Sequence, residues 1–219
     1  MISHGDRILV GLSGGKDSLT LMHMLSEAKR RAPIDFDLFP VYVDSGFPDG
    51  FGKALEEYAQ INFGRIHVEY TDYGLQGHSP LNRENPCFLC SRLRRKRIFE
   101  LADQFQCTKI ALGHHQDDII ETLFLNMLYA GRMGTMHPAQ KLFKGKFTII
   151  RPFVFIEEAL IQDYHDQYNL PQFLNPCPSI NLTKRNEVKS LLKTIYALNP
   201  HVKSNLFKSM HNINQEYLL

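Results

Sequence analysis

The stretch that most constrains the fold lies near the amino terminus. An apolar run, Asp6–Leu12, leads straight into Ser13-Gly-Gly-Lys-Asp-Ser18, and beyond it Leu19, Met22 and Leu25 recur at helical spacing. Strand, glycine turn and helix in that order open a βαβ unit, because a strand buried on both faces reads as a continuous apolar run and its crossover helix as a periodic one. The turn carries chemistry of its own. Two glycines let the backbone approach an anion, and successive N–H groups at a helix N-terminus favour negative charge. Lys16 adds a cation, and the Ser13 and Ser18 hydroxyls can bond phosphate oxygens. Leu12, Ser13, Gly14, Gly15, Lys16, Asp17 and Ser18 are therefore the expected contacts for a nucleotide phosphate.

Two familiar phosphate loops do not fit. A Walker A loop needs glycine where Val10 stands and Ser or Thr where Asp17 follows Lys16. A dinucleotide fingerprint needs G-x-G-x-x-G, a spacing that Gly11, Gly14 and Gly15 do not supply. The six residues Ser13–Ser18 instead resemble the S-G-G-x-D-S loop of the PP-loop ATP pyrophosphatases. That resemblance implies cleavage of ATP between its α and β phosphates and transfer of AMP to a substrate oxygen.

The alternation continues along the chain. Phe36–Asp44 reads as a second strand, 45–50 as a turn, 51–62 as a helix and 65–70 as a third strand. A polar loop follows over 71–86, then a helix from the cysteine pair to about residue 106. A fourth strand over 108–112, a loop over 113–117 and a helix over 118–129 come next. A mixed loop over 131–145 precedes a fifth strand over 147–151, stopped by Pro152. A helix over 156–168, a Pro-rich turn around Cys177 and two short helices complete the chain. The expected fold is α/β and Rossmann-like: a parallel five-stranded sheet in the order 3-2-1-4-5 with helices on both faces and a helical C-terminal tail. It is expected to be one domain over 1–219, its helical C-terminal part covering about 153–219 and carrying Cys177.

Composition excludes several classes. A chain of 219 residues with 43% hydrophobic and 22% charged residues can bury a core and is not intrinsically disordered. Its net charge of +2 requires any nucleic-acid site to be a local patch. No apolar run is long enough to span a bilayer, and the amino terminus does not read as a signal peptide, so a cytoplasmic protein is expected.

Of the four cysteines, Cys87 and Cys90 form C-x-x-C, while Cys107 and Cys177 stand alone. In a reducing compartment such a pair is better used for a metal or for redox chemistry than for a disulfide, and the spacing alone does not separate zinc from iron–sulfur. Cys107, just before a strand, reads as a core thiol. Five cations fall among Arg92–Arg97, namely Arg92, Arg94, Arg95, Lys96 and Arg97. A run of this kind is either a solvated helix face or a contact for a phosphate backbone, and beside thiols it also lowers their pKa.

Gly113-His-His-Gln-Asp-Asp118 follows the fourth strand. The sheet order brings it to the carboxyl edge beside the phosphate loop, the usual ligand crevice of such folds. Its paired carboxylates can take Mg²⁺ through water or handle a proton. Asp117 alternatively caps the next helix, and His115 reads as an exposed loop residue. Phe99, Phe105, Phe124 and Phe153 read as core.

Together, Cys87-x-x-Cys-Ser-Arg-Leu-Arg-Arg95, Ala111-Leu-Gly-His-His-Gln-Asp-Asp118 and Glu121-Thr-Leu-Phe-Leu-Asn126 resemble the tRNA 2-thiocytidine synthetase family, a likeness extending from Arg7 to about Met210. The resemblance implies the adenine-nucleotide alpha hydrolase-like fold and ATP- and iron–sulfur-dependent thiolation at C2 of a cytidine. It implies a [4Fe-4S] cluster on Cys87, Cys90 and Cys177, with one iron free of protein ligand. Catalytic roles are implied for Asp118, Asp17 and Lys16, with Mg²⁺ on Asp118. Adenosine contacts are implied for Val43 and Asp44, with Gly113, His114 and Asp117 completing the nucleotide site. Arg92, Arg94, Arg95 and Arg97 would hold tRNA. A cysteine desulfurase or another sulfide or persulfide donor, and a homodimer, are implied as partners. The sequence departs from many relatives in lacking a second C-x-x-C at the later site, where Ile180 stands three residues after Cys177. Two other readings are lysidine-type ligation, which needs no cysteine ligands, and a non-catalytic RNA-binding protein that merely holds nucleotide and metal.

Overall fold

A computed structural model describes residues 1–179, 183–214 and 216; Ile180 and parts of the predicted C-terminal region fall outside the described residues. Strands β1 (Asp6–Leu12), β2 (Phe36–Asp44), β3 (His67–Tyr70), β4 (Lys109–Ala111), β5 (Ala139–Leu142) and β6 (Phe147–Ile150) form one sheet in the order β3-β2-β1-β4-β6-β5. Strand β1 is central, with Ile8 paired to Leu38 of β2 on one side and to Lys109 of β4 on the other, both in parallel.

The alternation of β1 builds two cores. Ile8, Val10 and Leu12 join Leu19, Met22 and Leu25 of α1 (Lys16–Arg31) and Ile161 of α6 (Glu158–Gln167) on one face. Leu9 points the other way, to Val41 and Val43 of β2, Leu101 and Ala102 of α4 (Pro86–Gln104), and Cys107. Ile8, Leu9 and Val10 have no exposed surface, and full burial of each such side chain contributes about 1.5–3 kcal/mol. Helix α2 (Gly52–Asn62) adds Leu55 and Ala59 to the first core. Helix α5 (Gln116–Ala130) begins beyond β4, and its Ile120 meets Val188 and Leu192 of α7 (Lys184–Tyr196), with Leu206 and Phe207 of α8 (Val202–Ser209) alongside. No helix among the described residues is long and apolar enough to cross a membrane.

Several expectations are corrected. Among the described residues the sheet has six strands, because β5 forms inside the predicted 131–145 loop and pairs antiparallel with β6, the predicted fifth strand. Ala139-Gln-Lys-Leu is short and half polar, the composition of an edge strand, and so carries no strong apolar signal. A short helix, α3 (Tyr73–Gly77), stands in the predicted 71–86 loop. Phe153 is buried as expected, whereas Phe99, Phe105 and Phe124 are only partly so.

Candidate active site at the carboxyl edge of the sheet

The phosphate loop links the end of β1 to the N-terminus of α1. Ser13 N–H donates to Ser18 Oγ at 3.0 Å, Ser18 Oγ donates to the Gly15 carbonyl at 3.0 Å, and the two serine hydroxyls lie 3.1 Å apart. This network closes the turn on itself and leaves the first amides of α1 without intrahelical partners, the usual anion-binding end of a helix. Gly14 has φ +77°, and a Cβ there would stand 2.3 Å from the Phe51 ring. Gly113 is required for a different reason: its Cβ would come within 2.9 Å of the Asp17 carbonyl. The loop after β4 therefore runs against the first turn of α1, bringing Gly113 beside the phosphate loop as the strand order implies, while His114 lines a cavity with Arg94.

Lys16 Nζ contacts Asp17 Oδ1 at 2.6 Å and Glu158 Oε1 at 3.0 Å, and Glu158 Oε2 takes Lys189 Nζ at 3.0 Å. Burial works against the Lys16 charge, yet its two carboxylate partners raise its pKa. Burial would likewise push Glu158 up, but hydrogen bonds from Lys16 and Lys189 hold it down at about 2. Asp118 accepts from His115 N–H at 3.1 Å through Oδ2 and from Arg185 Nη1 at 2.9 Å through Oδ1. The helix-capping role thus falls to Asp118, not Asp117. Asp117 instead accepts from Glu158 N–H at 2.8 Å and pairs with Lys203 Nζ at 2.7 Å. His115 is corrected as well: it is 3% exposed, with its Nε2 3.5 Å from Asp118 and 3.9 Å from Asp17. His114 is pulled down to about 4, by burial first, with Asp118 opposing and Arg151, Arg185 and His115 adding to the fall. It is a neutral imidazole at physiological pH.

Val43 and Asp44 are buried at the end of β2, next to β1 in the sheet. The Asp44 carboxylate accepts from Gly46 N–H at 2.7 Å, and its carbonyl accepts from Thr71 Oγ1. Magnesium characteristically takes one or two carboxylates plus substrate phosphate oxygens. Asp17 and Asp118, both next to His115 Nε2, fit a magnesium ion delivered with ATP rather than a cage made by protein alone.

Cys87 and Cys90 sit one turn apart in the first turns of α4, whose N-cap Asn85 accepts from Cys87 N–H at 3.0 Å and Phe88 N–H at 3.3 Å. Cys177 belongs to a segment tied down at both ends. Phe173 N–H donates to the Gly14 carbonyl at 2.9 Å, and Ser179 Oγ meets His78 Nε2 at 2.8 Å, beside α3 and α4. The three thiols are free and half-buried. Burial raises the pKa of Cys87, and nearby Cys177 and Cys90 raise it further; Cys90 is raised by burial against the pull of Arg94 and a hydrogen bond from Ser45. Thiols that repel one another's negative charge need a cation to become thiolates together, which is the donor chemistry of a metal or an iron–sulfur cluster. No three side chains of His, Cys, Asp or Glu stand at metal-holding distance among the described residues. Cys107 is apart from the others, 1% exposed, with burial pushing it up to about 11.

The basic helix is not uniform. Arg92 pairs with Glu84 at 3.2 Å and lies 5.6 Å over the Phe88 ring. Arg97 is held by Glu69 at 2.9 Å and Glu100 at 3.0 Å, so its charge is largely neutralised within the fold. Arg94 and Arg95 face a cavity shared with His114. Glu158, Arg185, Lys189 and Lys203 were not anticipated; Glu158 at a helix start and cations in short helices look like ordinary solvated charges until the chain closes on itself.

An anion-binding strand–loop–helix, a neighbouring aspartate loop and a C-x-x-C at the start of α4 define a nucleotide-using α/β enzyme of the PP-loop type. The PP-loop domain model matches residues 3–195. The chain is 40% identical over 222 residues to the tRNA-cytidine(32) 2-sulfurtransferase of Pelobacter propionicus, covering all of this chain and 82% of that protein. It is 37% identical to the same-named protein of Geotalea uraniireducens, covering all of this chain and 88% of that one. The chain belongs to the PP-loop family and, within it, to the tRNA-cytidine 2-sulfurtransferases. Among solved structures, the U34-tRNA thiolase NcsA of Methanococcus maripaludis, with its [4Fe-4S] cluster, superposes with TM-score 0.77 at 22% identity over 99% of this chain and 74% of that one. The NH3-dependent NAD synthetase of Campylobacter jejuni gives 0.52 at 15% identity over 94% of this chain and 84% of that one, a likeness of fold.

Proposed function

We propose that the chain is an ATP-dependent tRNA thiolase that adenylates the C2 oxygen of a cytidine and lets sulfur take its place. One observation carries this reading. The segment that bonds to the phosphate loop through Phe173 also carries Cys177 and ends on His78 through Ser179, so phosphate chemistry and thiol chemistry share one edge of the sheet.

The amides around Ser13–Ser18 and the Lys16 ammonium bind the ATP phosphates, with Val43, Asp44, Gly113, His114 and Asp117 around the nucleotide. Asp17 and Asp118 would hold the Mg²⁺ that accompanies those phosphates, and Arg185 keeps Asp118 in place. The cytidine C2 oxygen attacks the α phosphorus, and the bond from that phosphorus to the bridging oxygen breaks, releasing pyrophosphate. The C2 oxygen now belongs to AMP, a far better leaving group than oxide. Sulfide adds at C2 and the C2–O bond breaks, releasing AMP; no atom changes oxidation state. A [4Fe-4S] cluster on Cys87, Cys90 and Cys177 would supply an iron free of protein ligand to hold sulfide. Arg92, Arg94 and Arg95 position the RNA backbone, and an anticodon-loop base is easier to reach than one in a stem. We place the work in the cytoplasm, with a homodimer as the assembly and a cysteine desulfurase or another sulfide or persulfide donor as sulfur source; persulfide sulfur is first reduced to sulfide by two thiols, which leave as a disulfide, so that only sulfide reaches C2.

The test is an anaerobic reaction of protein, ATP, tRNA and sulfide. AMP, pyrophosphate and a cytidine that has exchanged oxygen for sulfur are expected. ADP and phosphate as products, or AMP formation that leaves tRNA unchanged, would overturn the reading.

A further inference from the structure

Between α4 and the loop after β4 lies a cavity of about 650 Å³ whose walls carry five arginines, Arg94, Arg95, Arg132, Arg151 and Arg185, and no carboxylate among the described lining residues. Arg185 is paired with Asp118 and has Glu121 at 3.8 Å, whereas Arg94, Arg95, Arg132 and Arg151 make no ion pair among the described residues. Burial, aided by the charge of Arg95, lowers the Arg151 pKa, and Arg151 is 5% exposed. Three polar atoms on the wall are buried without a partner: Arg94 Nε, Arg151 Nε and His114 Nδ1. Such atoms cost free energy unless a ligand or water satisfies them. The rest of the wall mixes neutral polar side chains such as Gln140 and Asn126 with an apolar part, including Phe99, Ile110 and Leu112, which a bare phosphate would not require.

Position narrows the ligand further. Ser91 and Arg94, on the turn following Cys90, line one side; His114 and Arg185, the partner of Asp118, line another. An object in the cavity therefore lies between the cysteines and the aspartate loop. Arg95 and Arg132, on its rim, are exposed to solvent. We propose that this cavity receives the target pyrimidine nucleotide swung out of its RNA stack, its base against Phe99 and the apolar wall and its flanking phosphate on the arginines. Buried arginine N–H groups and neutral His114 suit the acceptor edge of cytosine, and the Gln140 carbonyl oxygen suits its amino group. This inference rests on the thiolase reading and names where its substrate sits. Enzymes that act on a base commonly extrude it into a pocket of this kind.

The probe is an anticodon-stem hairpin carrying, in place of the target cytidine, a fluorescent cytidine analogue quenched by stacking. With the parent protein the fluorescence should rise on binding. Gln140→Trp fills the cavity from β5 and removes the partner of the cytosine amino group; it should abolish the rise and lower kcat/KM for thiolation roughly tenfold to hundredfold, while the salt dependence of hairpin binding, set by phosphate contacts, stays near the parent's. Arg132→Ala, on the exposed rim, is the second variant and should halve the rise or more even if Gln140→Trp fails to fold. An unchanged rise in both variants, or no rise in the parent, overturns the proposal. A rise that both variants abolish, with no thiolation by the parent on native tRNA, supports the pocket and removes the thiolase reading.

Discussion

Arg185 Nη1 stands 2.9 Å from Asp118 Oδ1, joining the aspartate loop to a helix 67 residues further along the chain. The other Asp118 oxygen caps the start of α5 through His115 N–H. A carboxylate held from both sides is already oriented for a metal or a proton, and its guanidinium partner comes from the C-terminal part of the chain. Asp118→Asn should therefore keep ATP binding and lower AMP formation by roughly 10²–10⁴. Arg185→Gln should lower it less, because it disturbs the position of Asp118 and not its chemistry. Single-turnover AMP release beside ATP titration checks both; an Arg185→Gln protein at parent rate would remove the positioning role.

The Glu158 ion pairs make a pH prediction. Its pKa in the folded chain, about 2, lies below the ordinary 4.5, so its contribution to stability is present above pH 4.5 and is lost as pH falls toward 2. Full loss corresponds to about 3 kcal/mol at most, since each unit is worth about 1.4 kcal/mol and the side chain is partly solvated. Urea unfolding of Glu158→Gln should show a deficit of about 1–3 kcal/mol at pH 7 that shrinks as pH falls from 4.5 toward 2. A deficit independent of pH would mean that the cost is packing.

Gly14 should tolerate no side chain. Its φ of +77° costs any L-residue about 1–2 kcal/mol, and a Cβ would collide with Phe51. Gly14→Ala should lose ATP binding measured by calorimetry. Gly113→Ala, pressed against the Asp17 carbonyl, should weaken ATP binding without abolishing it, since its backbone is not left-handed.

The cysteines divide by chemistry. Cys107, buried with its pKa near 11, should resist alkylation in the folded chain, and Cys107→Ala should keep full iron. Changing Cys87, Cys90 or Cys177 to Ala should each release the metal. Iron, acid-labile sulfide and zinc assays on anaerobic protein decide the species; one tightly bound zinc and no sulfide would reject the cluster.

The arginines of α4 should separate by salt dependence. Arg94 and Arg95 changed together to Ala should reduce the slope of log affinity against log salt by about 0.7–0.9 for each RNA phosphate left without its arginine. Arg97→Ala breaks pairs with Glu69 and Glu100, and should lower thermal stability while leaving that slope near the parent value. A full slope in the double variant would move the RNA elsewhere.

Local pattern carried most of the fold. The strand–glycine–helix start, the alternating apolar runs and the C-x-x-C each state their geometry within a dozen residues, because backbone periodicity and turn chemistry are short-range. So the sheet order from β3 to β4 and the site's two chemistries were legible in the residues alone. The edge strand β5 was not, since four half-polar residues become a strand only by pairing with β6. The partners of the site were hidden for the same reason. Lys16 and Glu158 are 142 residues apart, Asp118 and Arg185 are 67 apart, and Gly14 meets Phe173 through one backbone bond. A glutamate or arginine in a short helix has no local signature that separates a solvated charge from a partly buried ion pair. Only the closure of the chain, which removes water and sets a lysine against a carboxylate, makes that distinction.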